Sequence, residues 1–408
     1  MSLPPTDPKL IYLVAPAGNP NYGDEFILRA WLRYLARVRP DTEVVVDCHT
    51  PGQAAVLLKR WHPRVTFVDT VWRICFETAE QPAEQVVDLA ADVLDNPGRL
   101  PRIASGVELL ARADTVHLVG GGYLNTVWSH HLSLLATASA AVQQFGLRAV
   151  ATGQGLLPIG DDGRRAWLQK LGSQFALFDV RDRPSHDALA DTACQVTHTG
   201  DDAWLGATED CVYDESSPAA ARDFVFCLQS DLMDDFDGGR GIDGLVEATS
   251  RLVQRWQLRG PDVAFVEALP GADRQVYDRV ADQLPGALFV PFTELWNRGV
   301  PARAGQTWVS TRFHLHLLAA AAGAGGVALA GRTDYYPIKH QSLLAAGSRW
   351  QLGDPGALPE HPPTAGGFPA DAVARLSAGK LALAAQLYPP APTRIHRAAK
   401  AIRGLSRR

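Results

Sequence analysis

Short apolar runs rich in β-branched residues recur along the chain and alternate with segments of helical period. LIYLVAP (10–16), EVVVDC (43–48), VTFV (65–68), TVHLVGG (115–121), RAVATG (148–153) and FALFDV (175–180) read as strands. Between them, 26–38 and 132–145 read as helices. In the first, Ile27, Leu28, Trp31, Leu32 and Leu35 keep the 3.6-residue spacing of one buried face, and Asp24 stands where an N-cap is expected. The rhythm stops at about 208–222, a polar, proline-bearing stretch without a period, and then restarts. DFVFCLQ (223–229), DVAFVEAL (262–269), ALFV (287–290), TWVS (307–310) and GVALA (326–330) read as strands, with helices over 245–256, over 276–284 and from Arg312. Strands alternating with helices predict parallel sheets covered on both faces. The expected protein is α/β, with two Rossmann-like doubly wound domains facing across a cleft. They span 1–207 and 222–350, followed by a Pro- and Gly-rich linker and helix over 351–390 and a basic tail over 391–408.

Composition narrows this picture. A chain of 408 residues is long for one core and natural for two, and 46% hydrophobic with 20% charged residues is globular. Net charge is −5, so the chain lacks the basic field of a nucleic-acid binder, and nucleic acid is excluded as an expected partner. The cysteines at 48, 75, 194, 211 and 227 are odd in number and scattered, which suits buried free thiols in a reducing cytoplasm. The N-terminus lacks a basic segment followed by an apolar one. The longest small-apolar stretch, 315–322, is far short of the ~20 residues that span a bilayer. A soluble, cytoplasmic protein is expected. The tail over 393–408 carries six Lys or Arg and no acid; it is either a solvated end or a weak helix resting on anionic lipid.

Open parallel sheets bind ligands at the carboxyl ends of their strands, so chemistry is sought at strand–helix junctions. The first junction, 18–24, holds Asn19, Asn21 and Asp24, which are helix caps or a site for sugar hydroxyls. The second, Gly120-Gly121-Gly122-Tyr123-Leu124-Asn125, permits close backbone approach, yet Asn125 replaces the third glycine of a dinucleotide motif. No GxxxxGK[ST] is present either, so neither NAD nor P-loop ATP chemistry is expected. Gln154 stands between two glycines after the fifth strand. Arg181, in VRDRPS, precedes a helix start with Ser185 and suits an anion, or else pairs with Asp182. Asp201, in GDD, is an acceptor contact or a cap. The densest constellation is Ser310-Thr311-Arg312-Phe313-His314, where a cation and a titratable acid meet at the mouth of an otherwise apolar helix. His314 and His316 diverge on a helix and make no metal pair. Lys339 either closes over a phosphate or is solvated.

The ordered series NxGD, HLVGGGYLN, TGQG, VRDRPS, GDDAW and STRFH…AAAG…DYYPIK spans residues 19 to 339 and resembles the polysaccharide pyruvyl transferases. The resemblance implies a GT-B-like fold and transfer of a pyruvyl group from phosphoenolpyruvate to a sugar, forming a ketal across two hydroxyls. It implies that Arg312 grips phosphoenolpyruvate with Arg181, Ser185 and Lys339, and that His314 is the general acid. Asp24 is expected to be catalytic with His314, on the acceptor side, where Asn19, Asn21, Asn125, Gln154 and Asp201 bind the sugar. The acceptor is expected to be a polysaccharide or a glycan precursor, free or lipid-linked, the latter in a membrane-peripheral setting. Gly325-Gly326 departs from the family's apolar residue and proline. The chemistry needs no metal or further cofactor, and no ligand cluster is visible. Two other readings share the fold: a glycosyltransferase using a nucleotide sugar, and a non-catalytic sugar-binding relative.

Overall fold

The computed structural model describes residues 8–332, 334–363 and 366–391. The basic segment 393–408, expected as either a solvated end or a weak helix on anionic lipid, lies outside the described residues. The first sheet has seven parallel strands in the order β3-β2-β1-β4-β5-β6-β7: β1 Leu10–Val14, β2 Glu43–Asp47, β3 Val65–Val68, β4 Thr115–Leu118, β5 Arg148–Gln154, β6 Leu177–Val180 and β7 Gln195–His198. The second has six in the order β10-β9-β8-β11-β12-β13: β8 Phe224–Cys227, β9 Val263–Val266, β10 Leu288–Val290, β11 Thr307–Ser310, β12 Gly325–Leu329 and β13 Gln351–Gly353. Both sheets reverse direction of winding once, between β1 and β4 and between β8 and β11.

Strand interiors are apolar on both faces because helices cover both; every residue of β1, β4, β9, β11 and β12 is buried. Two strands escape the periodicity, and both are sheet edges. Strand β7 alternates Gln, Val, Thr, His and is half-exposed, and β13 is three residues long inside the stretch read as linker. Helices at 51–58, 70–77, 83–95, 104–111 and 162–172 were not read either. The glycine pair on β12 has a physical reason. A Cβ on Gly326 would lie 2.5 Å from the Trp308 carbonyl oxygen and 2.7 Å from the Trp350 ring, so the indole fills the place of a side chain.

The helix Ala370–Leu387 crosses back onto the first sheet. Lys380, fully buried, reaches Asp179 at 2.8 Å and Asp202 at 2.9 Å. Those carboxylates also accept from Trp31, Gly120, Thr152, Gly153, Thr197 and Thr199. Past the helix, Tyr388 packs against Trp31 and bonds His117 across 3.1 Å. The halves also meet directly: Tyr22 N–H donates to the Ala268 carbonyl at 2.9 Å, and the Tyr335 hydroxyl donates to the Gly122 carbonyl. One apolar cluster runs through both. Among the described residues, no helix is long and apolar enough to cross a membrane.

Candidate active site between the two sheets

Loops from the two winding reversals face each other and enclose a cavity of about 270 Å³. Asn19, Asn21, Asp24, Arg181, Arg312, His314 and Lys339 all line it. The glycines of the sequence motifs explain how such groups fit. A Cβ on Gly23 would lie 1.8 Å from Nδ1 of His314, so the imidazole rests on bare backbone at the start of the first helix, Tyr22–Val38. A Cβ on Gly155 would meet the Arg181 guanidinium at 2.4 Å, and one on Gly122 would meet it at 3.0 Å. Gly120 and Gly153 make the same room for Asp202. The triple glycine and GQG thus serve side chains of this protein.

Asp24 was expected as the helix cap, but Asn21 is the cap, its Oδ1 accepting from Gly23 N–H at 3.3 Å. Asp24 therefore sits in the first turn with its carboxylate turned to the cavity. Burial raises its pKa; the His314 and Lys339 cations oppose that rise and Asp201 adds to it. His314 Nε2 lies 3.5 Å from Asp201 Oδ1. Burial pushes Asp201 up, but His314 and Arg181 more than offset it, leaving this carboxyl below its usual range. Asp201, expected on the acceptor side, is placed as the partner of the imidazole and the cap of Ala203.

Arg312 follows β11 directly, yet its fork is already engaged. Asp273, fully buried, takes Nε and Nη2, and Asp231 takes Nη2 at 2.6 Å. Burial opposes the charge of Arg312, and these two carboxylates hold it firmly in place all the same. The guanidinium expected to grip phosphoenolpyruvate is thus shared with Asp231, whose side chain is 36% exposed. Arg181 lies flat over Phe313 at 4.9 Å, close to Asp182 and Asp201. Lys339 makes no ion pair among the described residues; its ammonium stands 3.5 Å from the centre of the Tyr335 ring. Burial, then the Arg181 charge, press its pKa well down.

Four expected residues fall outside the cavity lining: Asp201, which stands behind His314 and lines the larger cavity, and Ser185, Asn125 and Gln154. Ser185 is fully buried and its Oγ accepts from Leu156 N–H at 2.9 Å, so it braces a loop and touches no anion. Asn125 accepts from Val127 N–H and donates to the Gly122 carbonyl, shaping the triple-glycine turn from behind. Gln154 donates to the carbonyls of Leu118 and Val119 inside the sheet. In each case an unpaired backbone group within reach captured the side chain.

The sequence reading missed Asp231, Asp273 and an aromatic wall that includes His49, Phe76, Trp128 and Tyr335. Their signal is weak, since they come from loops and short helices without a motif. It also saw no metal-ligand cluster, whereas the fold brings the donor atoms of Cys75, His130 and His131 within 4.8 Å of one another. That trio suits a soft cation by ligand type, and it belongs to the same wall. A larger cavity, about 570 Å³, opens on the far side of Arg181 and Phe313 toward the helix at 336–346. Asp24, His314, Arg312 and Lys339 all face the smaller one, which is therefore the site.

Two parallel, doubly wound sheets facing across such a cleft define a GT-B-like two-domain α/β protein. The structure is similar to a putative UDP-N-acetylglucosamine 2-epimerase from Listeria monocytogenes, at 13% identity and a TM-score of 0.51, over 94% of this chain and 93% of that one. It is equally similar to a S. aureus MnaA–UDP co-structure, at 13% identity and a TM-score of 0.51, over 94% of this chain and 91% of that one. At such identity the likeness is one of fold. No curated protein matches the sequence. The model of the polysaccharide pyruvyl transferase family matches residues 21–238, more than half of the chain, and the chain belongs to that family.

Proposed function

We propose that this protein transfers the pyruvyl group of phosphoenolpyruvate to a sugar, forming a ketal. The observation that carries the reading is the convergence of His314, Asp24, Lys339 and Arg181 on one interdomain cavity. Phosphoenolpyruvate is small and carries a phosphate and a carboxylate on adjoining carbons, so it needs cations placed apart. Lys339 and Arg181 serve one end, and Arg312 serves the other as Asp231 is displaced.

His314, oriented by Asp201, delivers a proton to the methylene carbon. The double-bond electrons form the new C–H bond, and the adjacent carbon becomes electrophilic. A sugar hydroxyl adds there and gives its proton to Asp24, whose raised pKa suits that task. The carbon–oxygen bond to phosphate breaks and phosphate leaves. A second hydroxyl then adds, its proton passing to the His314 imidazole that gave one up, and closes the ketal.

A nucleotide-sugar transferase is the competing reading, since the fold is shared with the UDP co-structure. A cavity of about 270 Å³ is small for a nucleotide sugar. Calorimetric titration with phosphoenolpyruvate and with UDP-N-acetylglucosamine separates the two. Phosphoenolpyruvate should bind with proton uptake, because an arriving anion raises the Lys339 pKa that burial and Arg181 press down. The uptake should vanish in Lys339→Met. Tight binding of the nucleotide sugar alone would overturn the reading.

A further inference from the structure

The cavity has two unlike walls. One carries the cations and His314; the other is aromatic and comes wholly from the first domain, apart from Tyr335. Trp128 interrupts a tight helical segment, Thr126–His131, with an extended backbone (φ −125°, ψ 70°). That break lays its ring parallel to His131, 6.0 Å away and tilted by 8°, and edge-on to Tyr335 at 5.8 Å. Phe76 packs at 5.3 Å from His49 and is nonetheless 40% exposed. Among the described residues it is the one aromatic side chain of the large apolar ones left this open. His49 lines the same wall and keeps a buried Nε2 without a partner. That nitrogen is free to exchange a hydrogen bond with a hydroxyl.

Asp24 stands at the seam between the walls, its Oδ1 3.8 Å from the Cβ position of Gly121 and beside Tyr123. A ligand reaching Asp24 from the aromatic side must offer hydroxyls at one edge and a C–H face toward the rings. We propose that the wall formed by Trp128, Phe76 and His49 is the acceptor subsite, and that it takes a pyranose ring stacked by one C–H face with its reacting hydroxyls turned to Asp24. The inference rests on the pyruvyl-transfer reading for the position of the donor, and it names the acceptor's shape: an uncharged pyranose with an uninterrupted C–H face. Charged sugars are disfavoured, because among the described residues the aromatic wall carries no Lys or Arg to pair with them.

Saturation-transfer NMR tests this with methyl β-D-glucopyranoside, -galactopyranoside and -mannopyranoside as probes, in the presence of phosphoenolpyruvate. Saturating aromatic protons of the protein should mark the C–H protons of one sugar face. Trp128→Leu and Phe76→Ala should each weaken sugar binding about 10-fold, the scale of an aromatic contact, while Trp128→Phe largely retains it. Phe76 is open enough that its variant should fold even if the Trp128 variant does not. Phosphoenolpyruvate affinity, read separately by calorimetry, should stay within about twofold in these variants, a shift of under 0.5 kcal/mol. Transfer undiminished in both Trp128→Leu and Phe76→Ala would overturn the subsite. So would the absence of transfer to all three sugars by a protein that binds phosphoenolpyruvate. Failure of phosphoenolpyruvate itself to bind would remove the reading on which the subsite rests, and the subsite with it.

Discussion

Two charged clusters lie less than a sheet's width apart and behave oppositely. Around Lys380, two carboxylates and one ammonium are fully buried, and hydroxyls, an indole and backbone N–H groups hold the carboxylates on several sides. Burial pulls Lys380 down, but Asp179 and Asp202 more than offset it and hold it at about 12. Around His314, satisfaction is partial. Its Nε2 has no hydrogen bond within normal reach, Asp201 Oδ2 lacks one too, and Lys339 leans on a ring in place of a carboxylate. Asp202 Oδ1 has the Lys380 ammonium at 2.9 Å and no other hydrogen bond, so the first cluster is closed by matched charge, which fixes geometry; a cluster whose charges are less closely matched is prepared for a ligand. The same reading assigns the first to architecture and the second to chemistry.

The largest effect that can break this comparison is kinetic. His314→Ala should lower the rate of phosphate release from phosphoenolpyruvate by ~10²–10⁴-fold, the usual worth of a general acid, with the unfolding midpoint nearly unchanged. Gly23→Ala should imitate it, since its Cβ would occupy the place of the imidazole. Turnover by His314→Ala at the normal rate would move the acid elsewhere. The second effect is thermodynamic. Lys380→Met leaves Asp179 and Asp202 buried without their cation, and breaking a buried pair costs ~3–5 kcal/mol. Urea unfolding should report that loss, with turnover per folded molecule nearly intact. If instead activity fell and stability held, the two clusters would have exchanged roles.

The residues of the open cluster were the more legible in sequence. Arg181, Arg312, His314 and Lys339 each follow a strand end, where a charge next to an apolar helix needs a reason. What the sequence withheld was partnership. Asp273 and Asp231 are 39 and 81 residues from Arg312, in loops with no motif, so nothing in the chain signals that the fork is occupied. Ser185, Asn125 and Gln154 show the converse. Short polar side chains at strand–helix junctions read as ligands for a substrate, but carbonyls and N–H groups of nearby loops, turns and, for Gln154, the neighbouring strand end were closer. The fold class was legible because buried parallel strands are continuous apolar runs; the edge strands β7 and β13 lack that run and were missed. Lys380 was unreadable, since one lysine in an otherwise ordinary amphipathic helix gives no sign of the two carboxylates it meets.

Glu25 offers the smallest and sharpest test, because it is intermediate between the clusters. It is fully buried on the first helix; Oε1 accepts from Gly18 N–H at 2.7 Å, and Oε2 has no partner. Burial pushes its pKa up to about 8, against the single hydrogen bond that lowers it. The sign follows from proton counting. Between the ordinary carboxylate pKa, about 4.3, and about 8, the folded protein holds a proton on Glu25 that the unfolded chain has lost. The folded state is thus the better proton binder in that window, and its stability falls as pH rises through it. Glu25→Gln keeps the shape without the ionisation and should flatten this part of the stability–pH curve, leaving the variant more stable than the parent at pH 8 and similar to it below pH 5. Urea midpoints at those two pH values decide it. A parallel pair of curves would mean that Glu25 has found, in solution, the partners that its burial denies it here, and that vacancy alone does not distinguish the two clusters.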